Sequence, residues 1–426
     1  MAQYTIAVIG LGFVGLEIAL ALSEYYPLYG YDNNQQRIDD LMDSADINLQ
    51  SSKNELKQHS IIFTSNIENI KHANVYIITV PTPVLFYEFP DLEILKAVSQ
   101  KIGGILKKND IVIYESSVYP GTTQEICIPL LEASSNLKEN IDFFVAYSPE
   151  RICPSDTNHN LKNMSKIISA NHPETLKVIH SIYEKIALNV YPVSQIEHAE
   201  AAKMLENIQR DVNIALMNEF SKIMHAMNLN MHEILEAAAT KFNFIPFKPG
   251  LVGGHCISVD PLYVAFQAKR HSVQPELILC ARKINDSMTQ FILQEMLKIL
   301  VKHVENRGPF KVGIFGVTYK ENIPDIRNSL IFKFLKECKD YPFEFEIHDP
   351  FLSKNIQKNN VTFPMKNFDD IQNLDLAIIF NNNLFYEEKG LETFIKKCKP
   401  PGLIMDIPNM FINDSQQKQL KQYWHL

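Results

Sequence analysis

The sequence predicts an α/β protein with two Rossmann-like, doubly wound domains joined by a long central helix. Short β-branched runs alternate with helical patterns before residue 195 and again after residue 306, as in parallel sheets wound with helices. Between them lies a stretch without proline or glycine in which apolar residues recur at helical spacing. The length of 426 residues suits two or three domains. We place the domain boundaries at 1–195, 196–305 and 306–426.

The strands are expected at short apolar runs rich in β-branched and aromatic residues. In the first domain these runs are Tyr4–Ile9, Pro27–Tyr31, Val75–Val80, Ile111–Tyr114 and Phe143–Ala146. In the third domain they are Lys311–Val317, Phe345–His348, Leu376–Phe380 and Leu403–Asp406. Helical patterns separate these runs, so the sheets are expected to be parallel.

The central helix is expected from Ile196 to about Met227. Its apolar residues recur at helical spacing, which predicts one broad buried face: Ala201, Met204, Leu205, Ile208, Val212, Ala215 and Leu216. A long helix between two α/β domains is a natural dimer surface, and we expect a homodimer.

Composition and charge exclude several classes of protein. The chain has 41 basic and 49 acidic residues and no basic block, so a nucleic-acid partner is not expected. The apolar stretch Ile6–Leu22 contains three glycines and Glu17, which argues against a membrane span. The first basic residue is Arg37, so no signal peptide is expected. The six cysteines form no CxxC pair, and without an export signal they are expected to be unpaired thiols of a cytoplasmic protein. The thirteen histidines form no ligand-spaced cluster, so no metal site is expected.

A glycine-rich turn directly follows the first predicted strand and opens a helix. The motif consists of Gly10, Gly12, Phe13, Val14 and Gly15. Its glycines permit a tight turn and a close approach of the backbone to a pyrophosphate, and the helix N-terminus supplies N–H donors. The alternative is a glycine turn in a Rossmann-like domain that binds FAD or a regulatory nucleotide.

Asp32 ends the second predicted strand, 22 residues after Gly10. Its carboxylate can accept hydrogen bonds from ribose hydroxyls, and its charge would repel a 2′-phosphate, so NAD is favoured over NADP. Arg37 is a candidate to lie over the adenosine, and its alternative role is that of a solvated helix residue.

The segment from Lys248 to Pro261 is the most informative in the chain. Glycines crowd one side of Cys256, so a ligand could approach it closely. Asp260 is expected to cap a helix that has Pro261 at its first position, which would place Cys256 just before a helix N-terminus and favour a thiolate nucleophile. The alternatives are a small buried cysteine and an aspartate that is only a cap. His255 receives no base role because adjacent side chains usually diverge.

Several ordered motifs resemble the UDP-glucose/GDP-mannose dehydrogenase family. They are Gly10–Gly15, Pro81–Pro83, Glu115–Thr123, Ser148–Arg151, Ala202–Asn207, Gly253–Cys256 with Val259–Pro261, and Tyr319–Lys320 with Asp325–Arg327. The resemblance spans nearly the whole chain. Within the family, the run Lys248–Ile257 resembles the branch that acts on UDP-N-acetylhexosamines in Vi-type capsule and O-antigen synthesis.

The resemblance implies a four-electron oxidation of C6 of a UDP-sugar. An alcohol is oxidised to an aldehyde with one NAD, Cys256 adds to the aldehyde, and a second oxidation gives a thioester that water hydrolyses to the uronate. A two-electron dehydrogenase of the 6-phosphogluconate type needs no cysteine, so Cys256 discriminates between the two. The resemblance also makes 1–195 the NAD-binding domain, 196–305 the connector with the cysteine segment, and 306–426 the UDP-sugar-binding domain.

The resemblance assigns the other catalytic roles residue by residue. Lys203 and Asn207, four residues apart on one helix face, form the oxyanion site. Glu150 activates the hydrolytic water, and Asp260 assists the thiol. Ser117 stands where the family usually has threonine and keeps the hydroxyl. The alternative from the pattern alone is that Lys203 and Asn207 form an ordinary polar strip on a helix. By position alone, the commoner role for Glu150 is that of a solvated loop acid.

Further residues are expected to hold the two ligands. The cofactor set is extended by Thr82 and by Arg327, whose planar guanidinium suits the pyrophosphate. The expected substrate contacts are Arg151, Phe244, Lys248, Gly253 and Lys320. Lys320 and Arg327, taken alone, could each be surface charges.

Departures from the branch pattern leave the sugar open. Ser258 and Leu262 replace an expected glycine and tyrosine, and Cys153 and Ser155 replace asparagine and glycine. The leading hypothesis is a UDP-N-acetylhexosamine 6-dehydrogenase, and the runner-up is a UDP-glucose or GDP-mannose 6-dehydrogenase. A catalytically inactive NAD or nucleotide-sugar sensor is the alternative from another class, although such a module would need none of the catalytic residues.

Overall fold

The computed structural model forms two compact units, each made of two stretches of the sequence. It describes residues 4–46, 48, 53–84, 89–150, 160–305, 308–352, 355–358, 361–414 and 423–426. The first unit comprises Met1–Ile208 and Val259–Pro275, and the second comprises Gln209–Ser258 and Glu276–Leu426.

The first unit contains an eight-stranded sheet. Its strands are β1 (Ile6–Ile9), β2 (Leu28–Tyr31), β3 (Ile61–Thr64), β4 (Val75–Ile78), β5 (Ile111–Tyr114), β6 (Phe144–Tyr147), β7 (Ser165–Ala170) and β8 (Asn189–Pro192). Their order is β3-β2-β1-β4-β5-β6-β7-β8, and every pair is parallel except the antiparallel β6–β7 pair. The first six strands therefore have the 3-2-1-4-5-6 order of a dinucleotide-binding fold, and the five predicted strands are confirmed.

The helices follow the strands in alternation. In the first unit they are α1 (Phe13–Ser23), α2 (Gln35–Met42), α3 (Lys53–Gln58), α4 (Glu93–Gly103), α5 (Ile128–Ser135) and α6 (Pro173–Tyr183). Later in the chain come α7 (Ile196–Ala226), α8 (Met231–Ala239), α9 (Asp260–Arg270), α10 (Glu276–Asp286), α11 (Met288–His303), α12 (Leu330–Glu337), α13 (Leu384–Lys389) and α14 (Leu391–Lys397). The central strands β1, β4 and β5 are buried along their whole length, as in a parallel sheet covered on both faces.

The second unit contains a five-stranded parallel sheet and a short hairpin. Its strands are β9 (Phe310–Phe315), β10 (Phe343–His348), β11 (Ile356–Lys358), β12 (Val361–Phe363), β13 (Leu376–Ile379), β14 (Ile404–Asp406) and β15 (Tyr423–Trp424). The order β10-β9-β13-β14-β15 is that of a second doubly wound sheet, so the fold class is confirmed for both sheets. Edge-to-face aromatic pairs, such as Phe315 with Phe394, fill part of its core.

The two sheets begin with the same kind of turn. After β1, the N–H of Leu11 donates to Asp32 Oδ2 at 2.8 Å, and Asp32 directly follows β2. After β9, the N–H of Val317 donates to Asp349 Oδ2 at 2.8 Å, and Asp349 directly follows β10. A carboxylate at the end of the second strand thus ties down the glycine turn after the first in each unit.

The long helix is present as predicted, but its apolar residues do not form one buried face. Met204 and Ala215 are buried, whereas Leu205 and Leu216 are 67% and 54% exposed. The expectation of a broad buried face is therefore wrong for these two leucines and for Ala201, which is also exposed. None of the helices in the described part of the chain is long and apolar enough to cross a membrane.

Candidate active site

The turn after β1 has the geometry that a dinucleotide requires. Gly10 has a φ of +94°, and its N–H donates to the carbonyl of Tyr31 at 2.8 Å. A Cβ on Gly15 would lie 1.8 Å from the carbonyl oxygen of Gly10, so only glycine lets α1 approach the turn this closely. At Gly12 a Cβ would meet nothing within 4 Å, so the space next to the N-terminus of α1 is open. Phe13 and Val14 are half-buried in the first turn of α1.

The residues around this turn fit NAD. The two Asp32 carboxylate oxygens accept from the N–H groups of Leu11 and Asn34 at 2.8 and 2.9 Å, and each retains a lone pair for a ribose hydroxyl. The half-buried position of Asp32 leaves it accessible from one side. A pyrophosphate beside Gly12 would face the N–H groups at the start of α1.

Arg37 on α2 is buried and binds the backbone of the same turn. Its Nε donates to the Leu11 carbonyl at 2.9 Å, and its Nη1 pairs with Asp46 at 2.8 Å. Its Nη2 is buried and has no hydrogen-bond partner among the described residues. Arg37 is therefore not a solvated helix residue.

Lys203 and Asn207 lie on one face of α7 and are both buried. The Lys203 ammonium donates to the backbone carbonyl of Glu150, and the Asn207 amide donates to the Asp260 carboxylate. The Glu150 and Asp260 side chains are also buried. The first unit thus brings four of the predicted catalytic residues into two direct contacts.

Asp260 does not cap a helix. Helix α9 begins at Asp260 itself, Val259 is the residue before it, and no side chain caps its N-terminus. The expected N-cap role is therefore wrong. The Asp260 carboxylate is used instead by Asn207, because burial of the aspartate favours a hydrogen-bonded partner.

Ser117 lies in the loop after β5 and is held by its backbone. The Thr82 hydroxyl donates to the Ser117 carbonyl at 2.5 Å. The Tyr263 hydroxyl donates to the Thr82 carbonyl at 2.6 Å, and the Tyr119 and Tyr263 rings pack edge to face. The Ser117 carbonyl is therefore anchored to Thr82, which is anchored in turn to Tyr263.

Glu150 belongs to a buried ion cluster. The Lys166 ammonium lies 2.5 Å from Glu115 Oε2 and 2.5 Å from Glu150 Oε2, and the Tyr183 hydroxyl donates to Glu115. Burial raises the pKa of Glu115, against the pull of Lys166. Burial opposes the charge on Lys166, but Glu115 and Glu150 more than offset it and raise the Lys166 pKa. Burial and the Glu150 charge raise the pKa of Glu17 on α1 to about 7.

A second buried carboxylate, Glu200, binds the backbone at Gly121 and Thr123. Glu200 on α7 accepts from the N–H of Gly121 at 2.6 Å and from the N–H and hydroxyl of Thr123 at 3.0 and 2.6 Å. Burial raises the pKa of Glu200 to about 7, although these hydrogen bonds oppose the shift. Glu200 thereby ties α7 to the loop that carries Ser117.

In the second unit, Cys256 lies half-buried in a loop shaped by glycine. Gly254 has a φ of +83°, and a Cβ there would lie 2.7 Å from the Tyr319 ring. The Cys256 sulfur is 3.3 Å from His255 Nδ1, and the His255 ring packs edge-on against Tyr319. His255 Nε2 is 4.0 Å from Asp325. The expectation that the two adjacent side chains diverge is wrong, because the turn at 254–259 bends them together.

A buried amide holds the start of this loop. Asn218 on α7 both donates to and accepts from the backbone of Gly250, at 3.0 and 2.8 Å. Its amide also donates to Asn285 at 2.8 Å, and Asn285 in turn donates to Asp211. The sequence analysis missed Asn218, although an asparagine at a core position of a helix is a signal for such a contact.

The other predicted ligand contacts are placed as follows. A Cβ on Gly253 would lie 2.7 Å from the carbonyl oxygen of Asn328. Arg327 pairs with Asp325 at 2.6 Å, and its side chain is 52% exposed. Lys320 and Phe244 are half-buried and Lys248 is exposed. Arg151 and Cys153 lie outside the described residues.

Three domain models of one protein family match successive parts of the chain. Within the UDP-glucose/GDP-mannose dehydrogenase family, the NAD-binding domain model matches residues 4–187, the central domain model 197–287, and the UDP-binding domain model 313–413. The chain is 44% identical over 352 residues to UDP-N-acetyl-D-glucosamine 6-dehydrogenase of Salmonella typhi, covering 82% of this chain and 83% of that protein. It is 38% identical over 423 residues to Protein CapL of Staphylococcus aureus, covering 99% of each.

A solved structure extends the likeness to three dimensions. The UDP-D-ManNAc dehydrogenase of Pyrococcus horikoshii superposes with a TM-score of 0.85 at 29% identity, covering 94% of each chain. The fold and the turn after β1 define a dinucleotide-binding protein, and the matched family consists of oxidoreductases. The chain belongs to the UDP-glucose/GDP-mannose dehydrogenase family, and its cofactor is NAD. The expected family, enzyme class and cofactor are confirmed.

Proposed function

We propose that this protein oxidises C6 of a UDP-N-acetylhexosamine, either UDP-GlcNAc or UDP-GalNAc, to the uronic acid for surface polysaccharide synthesis. The observation that carries the proposal is Cys256, half-buried in a glycine-shaped loop with a histidine nitrogen 3.3 Å from its sulfur. A two-electron alcohol dehydrogenase needs no such thiol. The choice of sugar is supported by the name of the Salmonella typhi relative, a UDP-N-acetyl-D-glucosamine 6-dehydrogenase.

Cys256 is the proposed nucleophile. His255 accepts the thiol proton, and the thiolate adds to the C6 aldehyde to form a thiohemiacetal. When bound, NAD accepts the hydride in each of the two oxidations. The second oxidation leaves a thioester on Cys256, and water releases the uronate and regenerates the thiol.

The buried polar residues of the first unit supply the charge stabilisation. Lys203 and Asn207 are the proposed donors to the developing alkoxide. Glu150 is the proposed base that takes a proton from the hydrolytic water, with the Ser117 hydroxyl orienting that water. Asp260 holds the Asn207 amide in a fixed orientation through their hydrogen bond.

Other roles remain proposals of the same kind. Thr82 and Arg327 join the turn Gly10–Gly15, Asp32 and Arg37 in binding NAD. Substrate binding is assigned to five residues: Arg151, Phe244, Lys248, Gly253 and Lys320. We retain 1–195, 196–305 and 306–426 as the functional division of the chain.

We further propose a homodimer and a cytoplasmic location. Leu205, Leu216, Phe220, Ile223 and Met227 form an exposed apolar stripe along one face of α7, 37–67% accessible, which a second copy would cover. Among the described cysteines, Cys127, Cys256, Cys280, Cys338 and Cys398 are unpaired thiols, which suits a reducing compartment.

The test is the number of NADH molecules formed per sugar consumed. UDP-GlcNAc, UDP-GalNAc, UDP-glucose and GDP-mannose are compared in parallel, with Cys256→Ser as a second enzyme. Two NADH per sugar with an N-acetylhexosamine are expected from the wild type, and no uronate from Cys256→Ser.

The other outcomes would support a different substrate, mechanism or function. A preference for UDP-glucose or GDP-mannose would move the enzyme to another branch of the family. One NADH per sugar, or an active Cys256→Ser enzyme, would contradict the covalent route. No turnover with any donor, despite NAD binding, would favour a nucleotide-sugar sensor.

A further inference from the structure

One face of α9 contacts the segments that follow β4 and β5. Tyr263, Gln267 and Arg270 are spaced four and three residues apart, so their side chains lie on the same side of the helix. The Gln267 amide donates to the Pro120 carbonyl at 2.9 Å, and the Arg270 guanidinium pairs with Glu125 at 3.1 Å. These two contacts hold α9 against the segment after β5, and Tyr263 contacts the loop after β4.

The Tyr263 hydroxyl binds the backbone of the loop after β4. It donates to the Thr82 carbonyl at 2.6 Å and to the Pro83 carbonyl at 3.0 Å. The Pro83 carbonyl also accepts from the N–H of Asp91 at 2.8 Å, so the hydroxyl meets the loop where residues 83 and 91 come together. Tyr263 is completely buried, and burial raises its pKa, so the hydroxyl remains a donor.

The loop after β4 is joined to the loop after β5 by two further hydroxyls. The Thr82 hydroxyl donates to the Ser117 carbonyl at 2.5 Å, and the Ser116 hydroxyl donates to the Val80 carbonyl at 2.7 Å. Both hydrogen bonds run from a side chain to the backbone, so they restrict the path of the chain itself. Tyr263 therefore binds one of two loops that are also bound to each other.

The two loops follow the strands on which the nicotinamide half of NAD is expected. The strand order changes direction between β1 and β4, and a dinucleotide lies across that point at the carboxyl ends of the strands. The glycine turn after β1 suits the pyrophosphate, and Asp32 after β2 suits the adenosine ribose. The other half of NAD is therefore expected at the ends of β4 and β5, where Thr82 is located.

Tyr263 lies outside the part of the chain that the NAD-binding domain model matches. That model covers residues 4–187, and Tyr263 falls within the central domain model, 197–287. The stretch Val259–Pro275 nevertheless packs with the first unit. The dinucleotide-binding sheet thus has one of its loops held by a helix from a later stretch of the chain.

We propose that Tyr263 is a positioning residue for NAD, whose hydroxyl holds the loop after β4 in the conformation in which Thr82 meets the cofactor. This inference rests on the proposed NAD contact of Thr82 and adds a residue that acts through the loop backbone. Without the hydroxyl, the loop adopts the binding conformation for a smaller fraction of the time. The apparent affinity for NAD falls in proportion to that fraction.

The experiment compares two tyrosines that each donate a buried hydroxyl to a backbone carbonyl. Tyr263→Phe removes the hydroxyl at the loop after β4. Tyr76→Phe is the matched control: Tyr76 is also completely buried, and its hydroxyl donates to the Ala73 carbonyl at 3.1 Å, just before β4 and at the opposite edge of the sheet. The full-length enzyme is titrated with NAD by calorimetry in the absence of sugar. Denaturant unfolding measures stability, and deuterium exchange is followed in the peptide that carries the Asp91 amide.

Only one of the two variants should lose affinity for NAD. Both should lose similar stability, because each lacks one buried hydrogen bond. Tyr263→Phe should bind NAD about fivefold more weakly, the effect of one hydrogen bond of ordinary strength, and its Asp91 amide should exchange faster. With UDP-GlcNAc, its KM for NAD should rise by the same factor while kcat stays near the wild-type value, because saturating NAD selects the binding conformation.

The outcomes that overturn the inference differ from those that overturn the proposed function. Wild-type NAD affinity in Tyr263→Phe, or equal weakening in both variants, would refute the positioning role and leave the proposed oxidation untouched. Weaker NAD binding with unchanged exchange at Asp91 would also refute it, because Tyr263 would then not act through the loop. A wild-type enzyme that binds NAD but forms no uronate would refute the proposed function alone, since the affinities are measured without sugar.

Discussion

At the scale of single residues, the buried polar groups of the first unit hold one another in place. Lys203 contacts the Glu150 backbone, Asn207 contacts Asp260, and Lys166 contacts Glu150. A buried polar group without a partner costs on the order of 1–3 kcal/mol, so each member of such a pair restricts the other. Each of these side chains is therefore held in one orientation by its neighbour.

Glu17 provides a stability test with a defined sign. Its pKa is raised from an ordinary 4.5 to about 7, first by burial and then by Glu150. A raised carboxylate pKa contributes stability that is fully present below pH 4.5 and is lost as the pH rises through about 7. Glu17→Gln removes this dependence. The unfolding free energy of Glu17→Gln minus that of the wild type should therefore increase by roughly 1 kcal/mol between pH 5 and pH 8, a figure reduced to allow for the partial solvent exposure of Glu17.

Denaturant unfolding at the two pH values measures this difference. Glu24→Gln, at an exposed residue just after α1, is the control and should show a constant offset. A constant offset in Glu17→Gln as well would contradict the assignment of a buried, proton-binding carboxylate.

Motifs in the sequence could nominate the proposed catalytic residues but could not predict their contacts. Cys256, Lys203, Asn207 and Glu150 were marked by motif, whereas the approach of His255 to the sulfur depends on turn geometry at 254–259 that the motif does not encode. The Asp260-Pro261 pair resembles a cap and first helical residue, but burial of the carboxylate against Asn207 determines its role. Tertiary contact overrides the local signal in both cases.

At the scale of elements, the contact between β1 and α1 depends on a single glycine. Gly15→Ala would place a methyl group 1.8 Å from the Gly10 carbonyl oxygen. We expect a loss of stability at or above the upper end of about 1–3 kcal/mol, together with loss of NAD binding. Gly12→Ala is the matched control within the same motif, because its Cβ has open space.

The two glycine variants should separate folding from cofactor binding. Gly12→Ala should keep the wild-type melting temperature without NAD yet bind NAD at least about tenfold more weakly, because the methyl group occupies the side that the pyrophosphate approaches. Thermal melting and calorimetric titration measure the two properties. Equal melting temperatures for Gly15→Ala and wild type would contradict the close contact.

The elements that sequence analysis missed lie where the strand signal is weak. β3 and β8 are partly exposed edge-side strands, with burial that does not alternate cleanly. β7 pairs antiparallel with β6 inside an otherwise parallel sheet and carries Lys166 at a buried position. Buried parallel strands such as β1 and β4 are predictable because nearly every residue is apolar.

At the scale of the whole molecule, the apolar stripe on α7 makes a prediction about assembly. Phe220→Glu would put a charge in the middle of the proposed interface and should raise the dimer dissociation constant by at least about tenfold. Val301→Glu on α11 is the control, because Val301 is an isolated apolar side chain, 75% exposed. Analytical ultracentrifugation across a concentration series measures both, and an unchanged distribution for Phe220→Glu would move the interface elsewhere.

The first unit is built from two separate stretches of the chain, and this affects how the chain folds during its synthesis. The stretch Val259–Pro275 belongs to that unit although fifty residues, 209–258, separate it from Ile208. It supplies the Tyr263 hydroxyl bound to the Thr82 carbonyl and the Gln267 amide bound to the Pro120 carbonyl at 2.9 Å. The nucleotide-binding unit therefore cannot complete its packing on the ribosome until residue 275 has emerged, by which time the Cys256 loop has already been made.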